Sequence, residues 1–217
     1  MIEILYEDKS IVVCVKPSGT LSESSEDKNS LPRMLSEQTG SPIFTVHRLD
    51  REVCGVMVYA KEASAAAKLS ADMAERRFTK EYLAVIEGKM PQSAHTLTDL
   101  LFKDSKRNKT YTVNRRRQGV KEASLEYTTL GSADDTSLIK IILHTGRTHQ
   151  IRVQFASRKH PIVGDRKYGS KTSCNAIALC SHRLSFNHPR TNKALCFTYT
   201  PEEGEMWNIY TKILKNE

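Results

Sequence analysis

The sequence lacks long hydrophobic runs. No stretch approaches the roughly 18 uninterrupted apolar residues that a membrane-spanning helix needs. The N-terminal MIEILYEDKS carries acids, where a secretory signal has a basic leader followed by an apolar block. The apolar fraction of 39% and the charged fraction of 27% are typical of globular proteins in water. We therefore expect a cytoplasmic protein with no membrane partner.

The sequence also lacks the spacings of disulfide frameworks and zinc sites. Its cysteines are five, an odd number, and no two form a C-x-x-C pair. None of the seven histidines completes a zinc pattern. Most of the cysteines lie in apolar, strand-like runs such as IVVCVK and AIALCS. These features predict buried, reduced thiols and no structural or catalytic metal.

Basic residues are in excess, with 33 Lys and Arg against 25 Asp and Glu, a formal net charge of +8. Such an excess favours a polyanionic partner, nucleic acid first of all, although a merely basic solvated surface is the alternative. The excess is concentrated between Lys103 and Lys121, where eight cations face the single acid Asp104. The segment TYTV separates two clusters of these cations, which predicts a basic β-hairpin arm at about 103–121.

Strand-like segments outnumber helical ones, and several follow one another without an intervening helix. Helices are expected after Ser30, which is placed as an N-cap with Gly40 past the end, in the Ala-rich 61–77, and after Arg147. A closing amphipathic helix is expected with Met206, Ile209, Tyr210 and Ile213 inward. The polar segment 18–30 is most simply a mobile loop. The pattern predicts an α+β fold, a mixed, mainly antiparallel sheet with flanking helices.

Three separated stretches combine residue types that are suited to chemistry: HRLD at 47–50, KEY at 80–82 and GRTHQIR at 146–152. In the first, the carboxylate of Asp50 stands between Arg48 and Arg51. Alone, this tetrapeptide equally fits a surface turn with an ion pair worth about 0 to 1 kcal/mol. The context of the other two stretches is needed to decide.

In this order and context, the three stretches resemble the RluA-type family of RNA pseudouridine synthases. The first motif of that family is HRLD, then Arg, two variable or small residues, Gly, an apolar strand and Ala-Lys. HRLDREVCGVMVYAK matches it, except that Val53 and Cys54 stand where Thr-Ser is more usual. KEY matches the Lys-x-Tyr motif and GRTHQIR is intact. VVCVKPSG and SHRLSFNHP also fit, so the resemblance covers nearly the whole chain.

The resemblance implies a pseudouridine synthase catalytic fold with a central catalytic cleft. It implies an isomerase that flips specific uridines out of rRNA or tRNA and converts them to pseudouridine, with no metal and no cofactor. Many family members carry a small RNA-binding domain before the catalytic one, and here the motifs begin too near the N-terminus to leave room for it. We expect residues 1–217 to form a single catalytic domain that acts as a monomer.

The resemblance also implies roles for individual residues. Asp50 would be the catalytic carboxylate, and it must stay ionised, which an arginine within about 4 to 6 Å favours. Arg152 is the residue that the resemblance assigns to pairing with Asp50. Tyr82 would stack on the target uracil, although an aromatic on the buried face of a strand is the plainer alternative.

Further residues are expected to bind the substrate. Arg48 is the candidate for filling the gap that the flipped uridine leaves. Arg147 would hold a phosphate, Lys80 belongs to the Lys-x-Tyr motif, and Leu184 would form an apolar wall of the uracil pocket or simply part of the core. The basic arm would bind phosphates and supply affinity rather than chemistry.

Two other functions stay open on the sequence. A metal-independent ribonuclease would use His47 or His149 as acid and base and would cut RNA. A non-catalytic RNA-binding module would use the same motifs only to shape a basic surface. The role of Asp50 is also open, among attack on C6 of the base, attack on the ribose and proton abstraction from the sugar.

Overall fold

The computed structural model describes residues 1–24, 27, 29–91, 93–201 and 204–217. The chain forms two compact units, Met1–Lys80 with Cys180–Thr200, and Glu81–Leu179 with Pro201–Glu217. The elements that build the first unit are β1 (Ile4–Glu7), β2 (Ile11–Lys16), α1 (Leu31–Thr39), β3 (Phe44–Thr45), β4 (Cys54–Ala60), α2 (Ala63–Ala74), β10 (Leu179–Asn187) and β11 (Ala194–Thr198).

The sheet of the first unit has the strand order β1-β2-β4-β10-β11, with β3 added to the end of β4. The pairing of β4 with β10 is parallel and the others are antiparallel. Every residue of β2 is buried, as its uninterrupted apolar run predicts. The core of this unit is formed by side chains of β2, β4, α2 and β10: Ile11, Val13, Val56, Val58, Ala60, Ala65, Leu69, Phe78, Leu184 and Phe186.

The helix boundaries of the first unit follow local sequence signals. Ser30 precedes α1 in an extended conformation, Pro32 lies in its first turn, and Gly40 ends it with φ +65°. The left-handed backbone of Gly40 lets its N–H bond the carbonyl of Ser36 at 2.9 Å. In α2 the small Ala65 and the larger Leu69 face the core four residues apart. Both predicted helices are confirmed.

The second unit contains an antiparallel sheet in the order β5-β9-β8-β6-β7. Its strands are β5 (Thr79–Glu87), whose first two residues belong to the first unit, β6 (Ala94–Asp104), β7 (Lys109–Val113), β8 (Val120–Ala133) and β9 (Thr136–Leu143). Its helices are α3 (Gln150–Ala156), the 3-10 turn η1 (Arg166–Tyr168), α4 (Glu205–Asn208) and α5 (Thr211–Leu214). The range 103–121, where a basic arm was predicted, holds the end of β6, all of β7 and the first two residues of β8.

Most of the predicted fold is confirmed, since the strand pairing within each unit is mainly antiparallel and helices are few. The predicted closing helix is two single turns, and Ile209, expected inward, is 41% exposed. The buried side chains are Trp207, Tyr210 and Leu214, because the Tyr210 hydroxyl hydrogen-bonds Thr136 Oγ1 at 2.8 Å and brings the aromatic face inward.

Three further expectations need comment. Cys14 and Cys180 are buried as expected, whereas Cys54 and Cys174 are half-buried and Cys196 is exposed because alternate residues of β11 face outward. Of the predicted mobile loop 18–30, residues 25, 26 and 28 lie outside the described residues. Within the described part of the chain, no helix is both long and apolar enough to cross a membrane.

Gly55 provides a test of the parallel pairing between β4 and β10. Its φ is +114°, and a Cβ placed there would lie 2.2 Å from the backbone oxygen of Ser181. Because that contact is with backbone, Gly55→Ala is expected to lower the free energy of unfolding by at least about 3 kcal/mol. Urea denaturation measures this value.

The matched control is Gly40→Ala. Gly40 also has a positive φ, but nothing lies within 4 Å of a Cβ added there, so a loss of only about 1 kcal/mol is expected. Equal losses in the two variants would contradict the close approach of the two strands at Gly55.

Candidate active site

The predicted site residues are divided between the two units. Arg48, Asp50, Lys80 and Leu184 lie in the first unit, and Tyr82, Arg147 and Arg152 lie in the second. Each group is described within its own unit.

The loop that carries Asp50 is fastened by a buried lysine. Lys16, at the end of β2, is fully buried, and its Nζ donates to the carbonyl oxygens of Pro17 at 2.9 Å, Arg51 at 2.9 Å and Val53 at 2.8 Å. An ammonium has three N–H donors and each finds an acceptor, so the charge is buried without an unsatisfied donor. Two of these bonds, to Arg51 and Val53, hold the loop just after Asp50, where the backbone has no regular secondary structure.

The segment after β2 holds the same loop by further bonds. Ser22 Oγ donates to the Leu49 carbonyl at 2.8 Å and accepts the Leu49 N–H at 3.2 Å. Gly19 N–H donates to the Arg51 carbonyl at 2.9 Å, and Arg51 Nε donates back to the Gly19 carbonyl at 2.9 Å. The backbone on both sides of the partly buried Asp50 is therefore fixed, and this carboxylate is carried by a defined turn.

The two arginines beside Asp50 have partners in residues 19–23. Arg48 Nη1 lies 2.9 Å from both carboxylate oxygens of Glu23, with side chains 52% and 56% exposed. A pair this exposed contributes about 0 to 1 kcal/mol, so Arg48 can leave Glu23 at small cost. Arg51 donates its Nε to Gly19, as described, which supports the loop.

His47 is a buried neutral imidazole. It is 8% exposed, and its Nε2 accepts the backbone N–H of Val58 at 3.2 Å. Burial, and secondarily the charge of Lys80, lowers the pKa of His47 to about 3. The ring therefore acts as a hydrogen-bond acceptor for β4 near neutral pH.

Lys80 and Leu184 have different environments in the first unit. Lys80 is half-buried, with Nζ 3.2 Å from Met73 Sδ and 6.0 Å from the centre of the Phe78 ring. Burial lowers the pKa of Lys80 to about 8. Leu184 is 1% exposed and packs in the hydrophobic core. The plain core role accounts for Leu184, and its role as a pocket wall stays a prediction.

Tyr82 lies on β5 of the second unit, opposite Ile141 of β9, and is 7% exposed. It precedes a run of fully buried apolar residues on the same strand. Residues on both faces of β5 are buried from Tyr82 to Ile86. The backbone of Tyr82 is thus fixed by the strand.

Arg152 forms a buried ion pair with Asp165. Arg152 Nε donates to Asp165 Oδ2 at 2.7 Å and Nη2 donates to Oδ1 at 2.9 Å, with side chains 6% and 1% exposed. The guanidinium has five N–H donors, so this two-point bond is compatible with a second acceptor. Arg152 lies on α3, in the GRTHQIR motif, and Asp165 follows Gly164 before η1.

The other polar residues of the GRTHQIR motif bind within the second unit. Gln150 Oε1 accepts from Thr145 Oγ1 at 2.8 Å and from the Arg147 N–H at 3.1 Å, and its Nε2 donates to Ser124 at 3.1 Å. Arg147 is exposed, with its Nε 3.0 Å from the Glu122 carbonyl. Gln150 therefore closes the turn before α3, while Arg147 presents its charge at the surface.

The cations of the basic arm are mostly on the surface. Seven of its eight basic side chains are exposed: Lys103, Lys106, Arg107, Arg115, Arg116, Arg117 and Lys121. Arg116 Nη2 lies 2.5 Å from Glu122, and Arg117 lies over the ring of Phe102 at 4.7 Å. Their arrangement is suited to contact with phosphates.

Sequence reasoning missed three residues that hold the predicted ones in place: Lys16, Asp165 and Tyr168. The signal for Lys16 was a charge at the end of an otherwise apolar strand, IVVCVK. The signal for the other two was VGDRKYG, an acid and an aromatic between two glycines. Neither stretch indicates which residues its side chains bind, because those residues lie in other segments of the sequence.

The buried Lys16 predicts a specific pH dependence of stability. Burial lowers the pKa of Lys16 from 10.5 to about 8. Between these values the unfolded chain binds one proton more than the folded protein, so the free energy of unfolding rises with pH. Since one pKa unit is worth about 1.4 kcal/mol, wild type should gain up to about 3 kcal/mol relative to Lys16→Met across this window.

The measurement is urea denaturation of wild type and Lys16→Met at several pH values, with the exposed Lys9→Met as the control. The difference between wild type and the control variant should stay constant with pH. A constant difference for Lys16→Met as well would contradict a buried ammonium at the Asp50 loop.

Comparison with known proteins places this geometry in a family. A family model described as RNA pseudouridylate synthase matches residues 10–157. A ribosomal large subunit pseudouridine synthase C of Buchnera aphidicola subsp. Baizongia pistaciae is 30% identical, covering 98% of this chain and 70% of that protein. A tRNA pseudouridine synthase C of Haemophilus influenzae is 30% identical, covering 95% of each. The chain spans 65% and 68% of the length of two other curated relatives.

A solved structure has the same fold. The human RNA pseudouridylate synthase domain containing 4 superposes with a TM-score of 0.77 at 23% identity, covering 98% of this chain and 93% of that chain. This likeness confirms the predicted α+β pseudouridine synthase fold. Because the family model covers more than half of the sequence, this chain belongs to the RNA pseudouridylate synthase family.

Proposed function

We propose that the protein isomerises uridines to pseudouridine in structured RNA. The observation that carries this proposal is that the family match, residues 10–157, includes Asp50, Tyr82 and Arg152 in motifs that are intact at those positions. The basic arm supports it from a second direction, because it offers a surface for a polyanion.

In this reaction the bond from C1′ of the ribose is transferred from N1 to C5 of the uracil, and one proton moves. The N1–C1′ glycosidic bond breaks, the freed uracil turns, and C1′ is joined to C5. The proton on C5 is lost and N1 gains one, so atoms and charge balance without an oxidant or an energy source. The enzyme must supply a carboxylate close to the nucleotide and a surface that retains the detached base.

In this proposal Asp50 acts on the nucleotide, Arg152 holds that carboxylate ionised, and Tyr82 lies against the uracil. The fixed turn around Asp50 and the two-point bond of Arg152 to Asp165 support it, because catalysis requires groups held within a fraction of an ångström. Attack on C6, attack on the ribose and proton abstraction all use the same placement.

The substrate-binding residues act on the RNA around the target. Arg48 leaves its exposed ion pair with Glu23, which costs about 0 to 1 kcal/mol. Its side chain then fills the gap that the flipped uridine leaves. Lys80 and the exposed Arg147 bind phosphates or the ribose, and Leu184 backs the uracil pocket. The arm supplies affinity.

The RNA itself is proposed only as a class. The Buchnera relative is named for the large ribosomal subunit and the Haemophilus relative for tRNA, at the same 30% identity. Identity therefore does not choose between rRNA and tRNA. Mapping of the modified site makes that choice.

The ribonuclease alternative is weakened by His47. A general acid must carry a proton at the working pH, and burial lowers the pKa of this imidazole to about 3. Its Nε2 is also engaged as an acceptor within the fold. The binding-module alternative is decided by experiment.

Substitution of Asp50 tests the proposed chemistry. The protein is incubated with cellular RNA that carries tritium at C5 of uridine, and released tritium is counted. Wild type should release tritium, and Asp50→Asn should lower the rate at least about a thousandfold, because the carboxylate is removed with its volume kept. Filter binding should show unchanged RNA affinity.

The matched control is Glu52→Gln, which removes an exposed acid from the same turn. It should release tritium at the wild-type rate. Release by Asp50→Asn would contradict a catalytic carboxylate, chain breaks on a gel would indicate a ribonuclease, and no release by wild type would indicate a binding module.

The basic arm is tested by the salt dependence of binding. Arg115 is exposed, whereas the neighbouring Arg116 is already paired with Glu122. Arg115→Gln should weaken RNA binding and reduce the slope of log K against log salt by roughly 0.7 to 0.9, the value for one phosphate contact. The tritium-release rate at saturating enzyme should not change.

Two comparisons sharpen this test. Arg116→Gln should reduce the slope less, because the charge that it removes is partly neutralised by Glu122. Lys212→Gln, on an exposed lysine outside the arm, should leave the slope unchanged. Equal slopes for all three variants would show that the arm does not bind the RNA backbone.

A further inference from the structure

Tyr168 lies at a junction between the basic arm and Arg152 in the second unit. It is the last residue of η1, and the centre of its ring is 5.2 Å from the guanidinium carbon of Arg152. Its hydroxyl hydrogen-bonds Thr110, which is part of the arm. No catalytic or substrate-binding role is assigned to this residue above.

Two contacts fix the guanidinium of Arg152 in different directions. The two parallel bonds to Asp165 prevent rotation within the guanidinium plane. The ring of Tyr168, at a distance typical of a cation–π contact, restrains the plane itself. Movement of the ring would therefore tilt the N–H donors that Asp165 does not use.

The position of the ring is set by its hydroxyl. The oxygen accepts the Thr110 N–H at 2.9 Å, donates to the Thr110 carbonyl at 3.2 Å, and lies 2.9 Å from His149 Nδ1. A tyrosine hydroxyl has one donor and two acceptor sites, so all three bonds form together when His149 carries its proton on Nδ1. The ring is thus attached both to the arm and to the motif that carries Arg152.

A further hydrogen bond joins β7, the strand of the arm that contains Thr110, to the GRTHQIR motif. Thr110 is 2% exposed, and its Oγ1 donates to the Thr148 carbonyl at 2.9 Å. The preceding residue, Lys109, is half-buried and has its Nζ 5.1 Å from the centre of the Tyr168 ring. Thr110 is therefore buried against the turn before α3, although the other cations of the arm are exposed.

We propose that Tyr168 is a positioning residue that couples the basic arm to Arg152, its ring orienting the guanidinium and its hydroxyl fastening the ring to the arm strand. RNA that is held by the arm is thereby placed at a fixed distance from Arg152. The inference rests on the proposed function, because Arg152 receives its catalytic role there.

The test is Tyr168→Phe, which keeps the ring and removes the hydroxyl with its three bonds. The single-turnover rate of tritium release at saturating enzyme should fall about tenfold, because the guanidinium is no longer held in one orientation. The Kd for the same RNA should change less than twofold, since no phosphate contact is removed. A purely structural loss would lower the melting temperature without separating rate from affinity.

Two other variants serve as a second test and as a control. Thr110→Val removes the bond to Thr148 on the arm side and leaves the Tyr168 ring intact, so it should lower the rate in the same direction with Kd unchanged. Tyr127→Phe removes the hydroxyl of a different tyrosine of the same unit, outside the arm and the site, and should match wild type.

A second readout does not need activity. Exchange of the Arg152 Nε–H with solvent is followed by NMR, its signal assigned by its loss in Arg152→Lys. Tyr168→Phe should speed this exchange about tenfold, and Tyr127→Phe should not. Unchanged exchange, or an unchanged rate of tritium release in Tyr168→Phe, overturns the coupling. If wild type releases no tritium, the proposed function fails, and the exchange alone decides whether Tyr168 holds Arg152.

Discussion

The ion pair between Arg152 and Asp165 is the constraint on which the second unit's part of the candidate site depends. Both side chains have lost nearly all their water, and a pair in this state adds little net stability compared with apolar residues. What it supplies is orientation, because a two-point bond between planar groups allows far fewer rotamers than a flexible stem would have in water. The orientation of this guanidinium is therefore set within the second unit itself.

Lys16 solves a similar problem in the first unit with different acceptors. The turn around Asp50 has no ladder of strand or helix bonds to fix it, and the three carbonyls that bind the ammonium replace such a ladder. Carbonyl dipoles lower the cost of burying the charge less completely than a carboxylate does, which agrees with the low pKa of Lys16, about 8. In both units a buried cation gives defined geometry to a segment that secondary structure does not hold.

Local signals in the sequence predicted most of the elements and the motif residues. Ser30 and Gly40 mark their helix because caps depend on neighbouring residues, and the apolar run of β2 marks a buried strand for the same reason. The partners of Lys16 and Arg152 were not predictable in this way, since Lys16 binds carbonyls 35 and 37 residues away. In the closing segment Tyr210 is buried as predicted and bonds Thr136, 74 residues earlier, but Ile209 is exposed, because the segment forms two single turns and not the one continuous helix that was assumed.

The cations of the arm and the pair Lys16 and Arg152 differ in their exposure to water. Exposed cations are suited to binding a polyanion, and buried ones are suited to fixing the geometry of a site. Those of the arm are exposed to water, so salt screens them and their contribution to binding falls as counterions compete. Lys16 and Arg152 are buried and bonded, and salt in the medium has little effect on them. Substitutions of exposed arm cations can therefore change the surface charge while the contacts of Lys16 and of Arg152 stay the same. The half-buried Tyr168 contacts both Arg152 and the arm, since its ring lies over Arg152 and its hydroxyl bonds Thr110 in a strand of the arm.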